Sequence, residues 1–364
     1  MKKFPLILTI VLIVSLLCGC AGTPVVYYSD CTCPADAHTA APAPSATEET
    51  PAEPILTEGA LKTGLAITTS VKKSTSAAAD AAGAADYDVT MVAVLVDDNG
   101  VIHDCIIDGI STTINFDAAG AITTDLTAAP QTKNELGENY GMVAWGGAIA
   151  EWDAQAAALA SYAVGKTVEE LRTGAINESG YAAEGTDLAT SATIYLGGYV
   201  GAIETAVQNA QHLGAQSGDT LKLAVTTAID SSAAASADAA GNAELDVNVA
   251  AVTFSGETIT SCVIDAVQAK VAFDAAGSVT SDVTAAVATK NELGAGYGMV
   301  AWGGAIAEWN EQAASFAAYI TGKTPAEVAS ISIAEDTKTT DVDLAASVTI
   351  KIGGFLELIA KAAQ

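Results

Sequence analysis

The sequence predicts an α+β protein of two tandem homologous domains, each a small antiparallel sheet with packed helices. Three observations predict it. The chain repeats itself with a period of about 157 residues, far beyond the ~20–50 of solenoid turns, so the repeating unit is a whole domain. Within each copy, β-prone runs flank tight-turn residues. Beyond these runs, apolar residues recur at helical spacing and stop at a glycine.

The repeat is clearest at Lys133-Asn134-Glu135-Leu136-Gly137, which returns as Lys290-Asn291-Glu292-Leu293-Gly294; across 133–152 and 290–309, 18 of 20 residues are identical. Cys105 returns as Cys262, and Trp145 and Trp152 return as Trp302 and Trp309. The two copies occupy 60–212 and 222–364.

In the first copy, residues 89–96 and 101–108 flank Asp98-Asn99-Gly100, and an Asn-Gly pair between β-prone runs signals a hairpin. A second hairpin is expected at Asp117-Ala118-Ala119-Gly120. The second copy carries Ser255-Gly256 and Asp274-Ala275-Ala276-Gly277 at the matching turns. A glycine-rich segment from Tyr140 to Gly147 then leads into a helix expected over 148–164. Ile149, Trp152, Ala156, Leu159 and Ala163 share one face of it, and Gly165 ends it. A closing helix is expected over 198–210, with its counterpart over 354–363.

Ahead of the repeats stand Lys2 and Lys3, an apolar run from Phe4 to Leu17, and a Leu17-Cys18-Gly19-Cys20 junction, the layout of a secretory signal over 1–19. The run is shorter than the ~20 residues a membrane-spanning helix needs. The junction resembles the bacterial lipobox, with Leu17 and Gly19 in its aliphatic and small positions and Cys20 as the residue that takes the lipid; an ordinary secreted protein is the alternative. Residues 20–58, rich in Ala, Pro, Thr and Glu, read as the lipidated cysteine and a disordered stalk.

A formal charge of −28 excludes nucleic acid as a partner, because phosphate binding needs clustered Lys and Arg. The cysteines and the scattered His38, His103 and His212 form no metal-ligand pattern, so no metal site is expected. Cys105 and Cys262 are expected as buried strand residues, not bonded to each other; Cys31 and Cys33 stay open. Gly165-Lys166-Thr167 and Gly322-Lys323-Thr324 mimic the end of a phosphate-binding loop. Ala160 and Ala317 stand where its glycine belongs, and the tripeptide follows a helix instead of opening one. No catalytic residues are expected.

One segment near the end of each copy carries chemistry: Asp187-Leu188-Ala189-Thr190-Ser191-Ala192-Thr193, and Asp343-Leu344-Ala345-Ala346-Ser347-Val348-Thr349, each followed by an isoleucine and, soon after, a glycine pair. It resembles the flavinylation motif of covalent FMN-binding domains, in which a dedicated transferase moves FMN from FAD to the hydroxyl of the last threonine. With the hairpins, the Lys-Asn-Glu-Leu-Gly stretch and the Glu-Trp helix, the resemblance extends over both copies, to the FMN-binding surface lipoproteins of bacterial extracellular electron transfer. It implies FMN joined by a phosphoester to Thr193 and Thr349, with Asp187, Ser191, Asp343 and Ser347 in the motif. It also implies an FMN transferase, a membrane electron donor and extracellular acceptors as partners, at the outer face of the cell membrane. The second copy departs from the stricter pattern at Ala346 and Val348. A phosphodiester here would sit ahead of a helix N-terminus, which favours anions. Trp145 and Trp302 are candidates to stack on the flavin, whereas Trp152 and Trp309 read as core. The alternative of another class is a non-redox surface binding module or adhesin, and a third is a sensor lipoprotein binding free flavin.

Overall fold

A computed structural model describes residues 59–364; the signal segment, Cys20, Cys31, Cys33, His38 and the stalk lie outside the described residues. Each copy opens with three antiparallel strands in sequential order: β1 (Lys62–Ser70), β2 (Gly83–Val96) and β3 (Ile102–Phe116), then β4 (Thr220–Ala228), β5 (Gly241–Ser255) and β6 (Thr258–Phe273). The α+β class is therefore what the chain adopts. The Asn-Gly hairpin is present, with Asp97 accepting the Asn99 and Val101 N–H groups across the turn. At Asp117–Gly120 and Asp274–Gly277 the expected hairpins shrink to tight turns closed by single bridges, Phe116 to Ile122 and Phe273 to Val279.

The helices of the first copy are α1 (Lys133–Leu136), α2 (Met142–Gly146), α3 (Trp152–Ala163), α4 (Val168–Gly174), α5 (Leu188–Ser191) and α6 (Gly197–Gln208). Those of the second are α7 (Lys290–Leu293), α8 (Met299–Gly303), α9 (Trp309–Ile320), α10 (Pro325–Ala329), α11 (Val342–Ala345) and α12 (Gly353–Ala362). The helix expected from 148 starts only at Trp152, and Ile149 is exposed. Trp152, Ala156, Leu159 and Ala163 form its buried face as the spacing predicts. Thr167 and Thr324 cap the next helix through reciprocal bonds with Glu170 and Glu327, so the Gly-Lys-Thr tripeptides join two helices.

Successive side chains point to opposite sides of a sheet, and the central strands β2 and β5 bury residues on both sides. In β2, Val92 and Val94 meet the helices of their own copy, whereas Tyr87, Val89, Met91, Ala93 and Leu95 enter a core shared with Leu245, Val247, Val249 and Ala251 of β5. The order is helices, sheet, sheet, helices. The two copies thus form one body instead of separate beads. Phe116 and Phe273 stack at its centre with ring centroids 4.0 Å apart. The Tyr87 hydroxyl donates to the Ala243 carbonyl at 2.8 Å.

The two tight turns lock the copies together. Ala235 N–H donates to the Gly120 carbonyl, and Ala77 N–H to that of Gly277, both at 2.8 Å. Each glycine has φ of +70°, and a Cβ at Gly277 would lie 2.6 Å from the Asp117 carbonyl oxygen, so only glycine fits. Cys105 and Cys262 are free, buried strand residues, and burial pushes both thiols up to about 12. Among the described residues, no helix is long and apolar enough to cross a membrane.

Candidate functional site

The site is built on one polar residue in an apolar helix face. Gln155 of α3 is fully buried, and its Nε2 donates to the Ala150 carbonyl at 2.8 Å, which fixes which way the amide points. Its Oε1 then accepts Thr193 N–H at 2.8 Å, Ile194 N–H at 3.2 Å and the Thr193 hydroxyl at 3.3 Å. Gln312 of α9 repeats the arrangement: Nε2 to the Ala307 carbonyl at 2.8 Å, with Thr349 N–H, Ile350 N–H and the Thr349 hydroxyl at 2.8, 3.2 and 3.2 Å. These glutamines hold the candidate threonines and are not singled out by the sequence reading. The signal was available, since each is a polar residue three places after the repeated tryptophan, next to an alanine of the core face.

Both threonine side chains are exposed and held at their backbone. Among the described residues, no histidine, lysine or carboxylate is hydrogen-bonded to either hydroxyl. A threonine hydroxyl without such a base is a weak nucleophile, so bond formation there needs activation from outside the chain.

The sequence departures of the second copy fall away from the hydroxyl. Ala192 and Val348 occupy the same buried slot, so the larger side chain fills core and leaves the surface unchanged. Thr190 makes only a local bond to the Asp187 carbonyl at 2.8 Å, which Ala346 lacks. Ser191 and Ser347 likewise bond weakly to backbone carbonyls at 3.4 Å. Asp187 and Asp343 are exposed, and neither carboxylate is engaged in a hydrogen bond or salt bridge among the described residues. The closing helix is less open to an anion than the sequence suggested: the first amides of the α6 turn, Leu196 and Gly197, already donate to the Gly180 carbonyl.

Thr349 opens onto a cleft of about 520 Å³ whose floor includes Met299, Trp309, Phe355 and Lys290, and whose rim includes Lys338 and Lys351. Trp309 is thus both core and cleft wall, while Trp302 does not line the cleft. Trp145 and Trp302 stand out from α2 and α8, 84% and 85% exposed, each lying against the glycine that begins its helix. Glu151 and Glu308 hold those short helices by accepting two amides each, from Met142 and Val143 and from Met299 and Val300. With Val143, Ile149, Val300 and Ile306 also exposed, each copy presents an apolar platform.

Lys290 is the least expected part of the floor. Its Nζ lies 4.9 Å from the Trp309 ring centroid and 5.0 Å from that of Tyr297, and burial lowers its pKa. Lys133, only 9% exposed, sits the same way over Trp152 and Tyr140 at 4.9 and 5.3 Å. Among the described residues neither ammonium has a salt bridge or hydrogen bond. Each ammonium lies over aromatic faces with no ion pair of its own, a costly arrangement for a cation largely withdrawn from water that marks where an anionic group would be favoured.

His103 and His212 pair with the carboxylates of Asp97 and Asp98, at 3.5 and 2.9 Å, as ordinary surface residues do. No group of three or more His, Cys, Asp and Glu is placed to hold a metal among the described residues. Compared with family models, curated proteins and solved structures, the chain matches none.

Proposed function

We propose that this chain is a lipid-anchored surface electron carrier that holds covalent FMN on Thr193 and Thr349, taking electrons from a membrane donor and delivering them to extracellular acceptors. The observation that carries the reading is the pair of glutamine-clamped threonines, each at the last position of a flavinylation-like segment. The clamp fixes the backbone and leaves the side chain outside, which suits a residue that another enzyme must modify. The cleft beside Thr349 falls within the ~300–1,000 Å³ of small-molecule sites. Its apolar floor suits a flat ring, and its lysines suit the negative charge of FMN. The bound flavin would supply the redox chemistry, while Lys290, Trp309 and Phe355 would set its surroundings.

Anchoring through Cys20 and a stalk would keep the carrier at the outer membrane face, where a dissociable cofactor would be lost to dilution. The exposed platforms around Trp145 and Trp302 favour a second reading, a non-redox surface binding module. Intact mass of the chain made together with an FMN transferase separates the two. The expected result is one FMN less water per copy, no addition in Thr193→Ala/Thr349→Ala, and one in each single variant. An unmodified wild-type chain in the presence of active transferase would leave the binding module as the better account.

A further inference from the structure

A cleft lies beside Thr349; the first copy matches its Lys290, Trp309 and Met299 with Lys133, Trp152 and Met142, has Tyr199 where Phe355 stands, and differs at the rim. Lys338 and Lys351 are backbone bridge partners beside Thr349. At the corresponding places of the first copy stand Tyr181 and Tyr195, whose rings meet edge to face with centroids 5.8 Å apart. Beneath, Lys290 and Lys133 occupy equivalent positions. The cleft beside Thr349 is thus lined by three lysines, whereas the matching positions of the first copy carry one lysine and three tyrosines, Tyr181, Tyr195 and Tyr199.

Other charges reduce this contrast without cancelling it. Asp336 lies 3.4 Å from Lys338 and is the nearest counter-charge to the rim, while Lys351 has no salt bridge among the described residues. Asp246, Asp265, Glu244 and Lys270 act on Lys290 from the sheet. In the first copy, Asp88 acts likewise near Lys133 but is paired with Lys73 at 2.5 Å.

Resting on the flavin reading above, we infer that the two copies hold their flavins at different reduction potentials, the second the higher, because Lys338 and Lys351 line the cleft beside Thr349 where the first copy carries Tyr181 and Tyr195. Uptake of two electrons and one proton, the electrons coming from a membrane-bound reductant, leaves the reduced ring with one more negative charge than the oxidised ring. A cation near the ring stabilises that product more than the starting form. Two electrons passing from the first site to the second, with the proton released at one ring and taken up at the other, conserve charge and run downhill. The shared floor lysine raises both potentials, and the rim sets them apart. Each exposed lysine acts through solvent, so its effect is modest and weakened by salt.

The test uses the two single-flavin proteins, Thr193→Ala and Thr349→Ala, made with the transferase and titrated with dithionite against a reference dye. The flavin on Thr349 is expected to be favoured for reduction by roughly tenfold, about 30 mV for a two-electron couple. Lys338→Tyr/Lys351→Tyr in the Thr193→Ala protein should remove most of that difference, and high salt should narrow it. Lys290→Met should lower the potential further and Lys290→Arg restore it, with flavin content checked by mass. Equal potentials, or a reversed order, overturn this inference and leave the carrier reading intact. A wild-type chain that takes up no flavin overturns the carrier reading, and the inference falls with it.

Discussion

The two copies agree where they hold the threonine and differ where they face what would lie on it. Gln155 and Gln312, Glu151 and Glu308, and Lys133 and Lys290 do the same work at the same distances. Tyr181, Tyr195 and Gly180 are replaced by Lys338, Lys351 and Thr337. The difference teaches that the clamp is bound by hydrogen-bond accounting, since each glutamine oxygen satisfies two backbone amides that no apolar substitute could serve. A solvent-facing rim carries no such debt and is free to diverge in charge.

The largest effect should come where the copies are inseparable. Phe116→Ala and Phe273→Ala each empty one half of the central stacked pair and should each destabilise the whole protein by about 3–5 kcal/mol. Urea unfolding should stay a single transition in both, because the shared core ties the sheets together. Two separated transitions would show that the copies unfold as independent domains.

Next in size is the clamp. Gln155→Leu or Gln312→Leu strips the acceptor from two backbone amides, at ~1–3 kcal/mol for each one left buried and unmade. Partial access to water limits the total to roughly 2–3 kcal/mol. Equal losses in the two variants, with flavin loading reduced only at the affected copy, would show that both clamps serve presentation. Unequal losses would break the equivalence drawn between them.

A smaller effect separates the copies by pH. Asp265 is buried beside α7 and accepts amides from Ala266 and Asn291, and burial raises it from 3.8 to about 6; Asp108 is its counterpart and is raised for the same reason. A carboxyl raised on folding binds its proton more tightly in the folded state. Its contribution therefore favours folding below about pH 4 and is lost as pH rises through about 6. Relative to Asp265→Asn, which cannot titrate, the wild type should lose on the order of 2 kcal/mol between pH 4 and pH 7 in urea unfolding. Asp108→Asn should shift stability in the same direction.

Much of this was legible in the sequence. The repeat gave the tandem architecture, Asn99-Gly100 gave the first hairpin, and the spacing from Trp152 to Ala163 gave the face of α3. Strand β1 went unread because Lys62–Ser70 holds a glycine, Gly64, and lacks a clean two-residue alternation of apolar and polar side chains. The docking of the copies was hidden for another reason. A strand buried on both faces reads as a continuous apolar run, and nothing local says that its second face belongs to the other copy. At the candidate site, Thr193 and Thr349 stand out from the motif segment, whereas Gln155 and Lys133 do not. Their roles arise from partners 38 residues away in one case and from two aromatic rings in the other.

The smallest effect tests whether the rim changed as a coupled set. In the first copy, Gly180 ends a tight turn at φ +78°, and a Cβ there would lie 2.4 Å from the Tyr195 ring, which also covers Gly197. In the second copy, Thr337 takes that turn position at φ +63°, the one non-glycine residue among those described with positive φ. Its side chain approaches Gly353, the counterpart of Gly197, in the space that Tyr195 fills in the first copy. With Lys351 in place of the aromatic ring, Thr337 fills the corresponding room, at the cost of backbone strain. Thr337→Gly relieves about 1–2 kcal/mol of that strain but loosens the unfolded chain by about 0.4–1 kcal/mol, so it should stabilise by roughly 0.5 kcal/mol. Gly180→Thr meets both the strain and the ring and should destabilise by about 1–2 kcal/mol; adding Tyr195→Lys should recover the part due to the clash. Thermal unfolding of these three proteins against wild type measures the coupling directly. If Tyr195→Lys gives no recovery, the two substitutions are independent, and the rim lysines did not need Thr337 beside them.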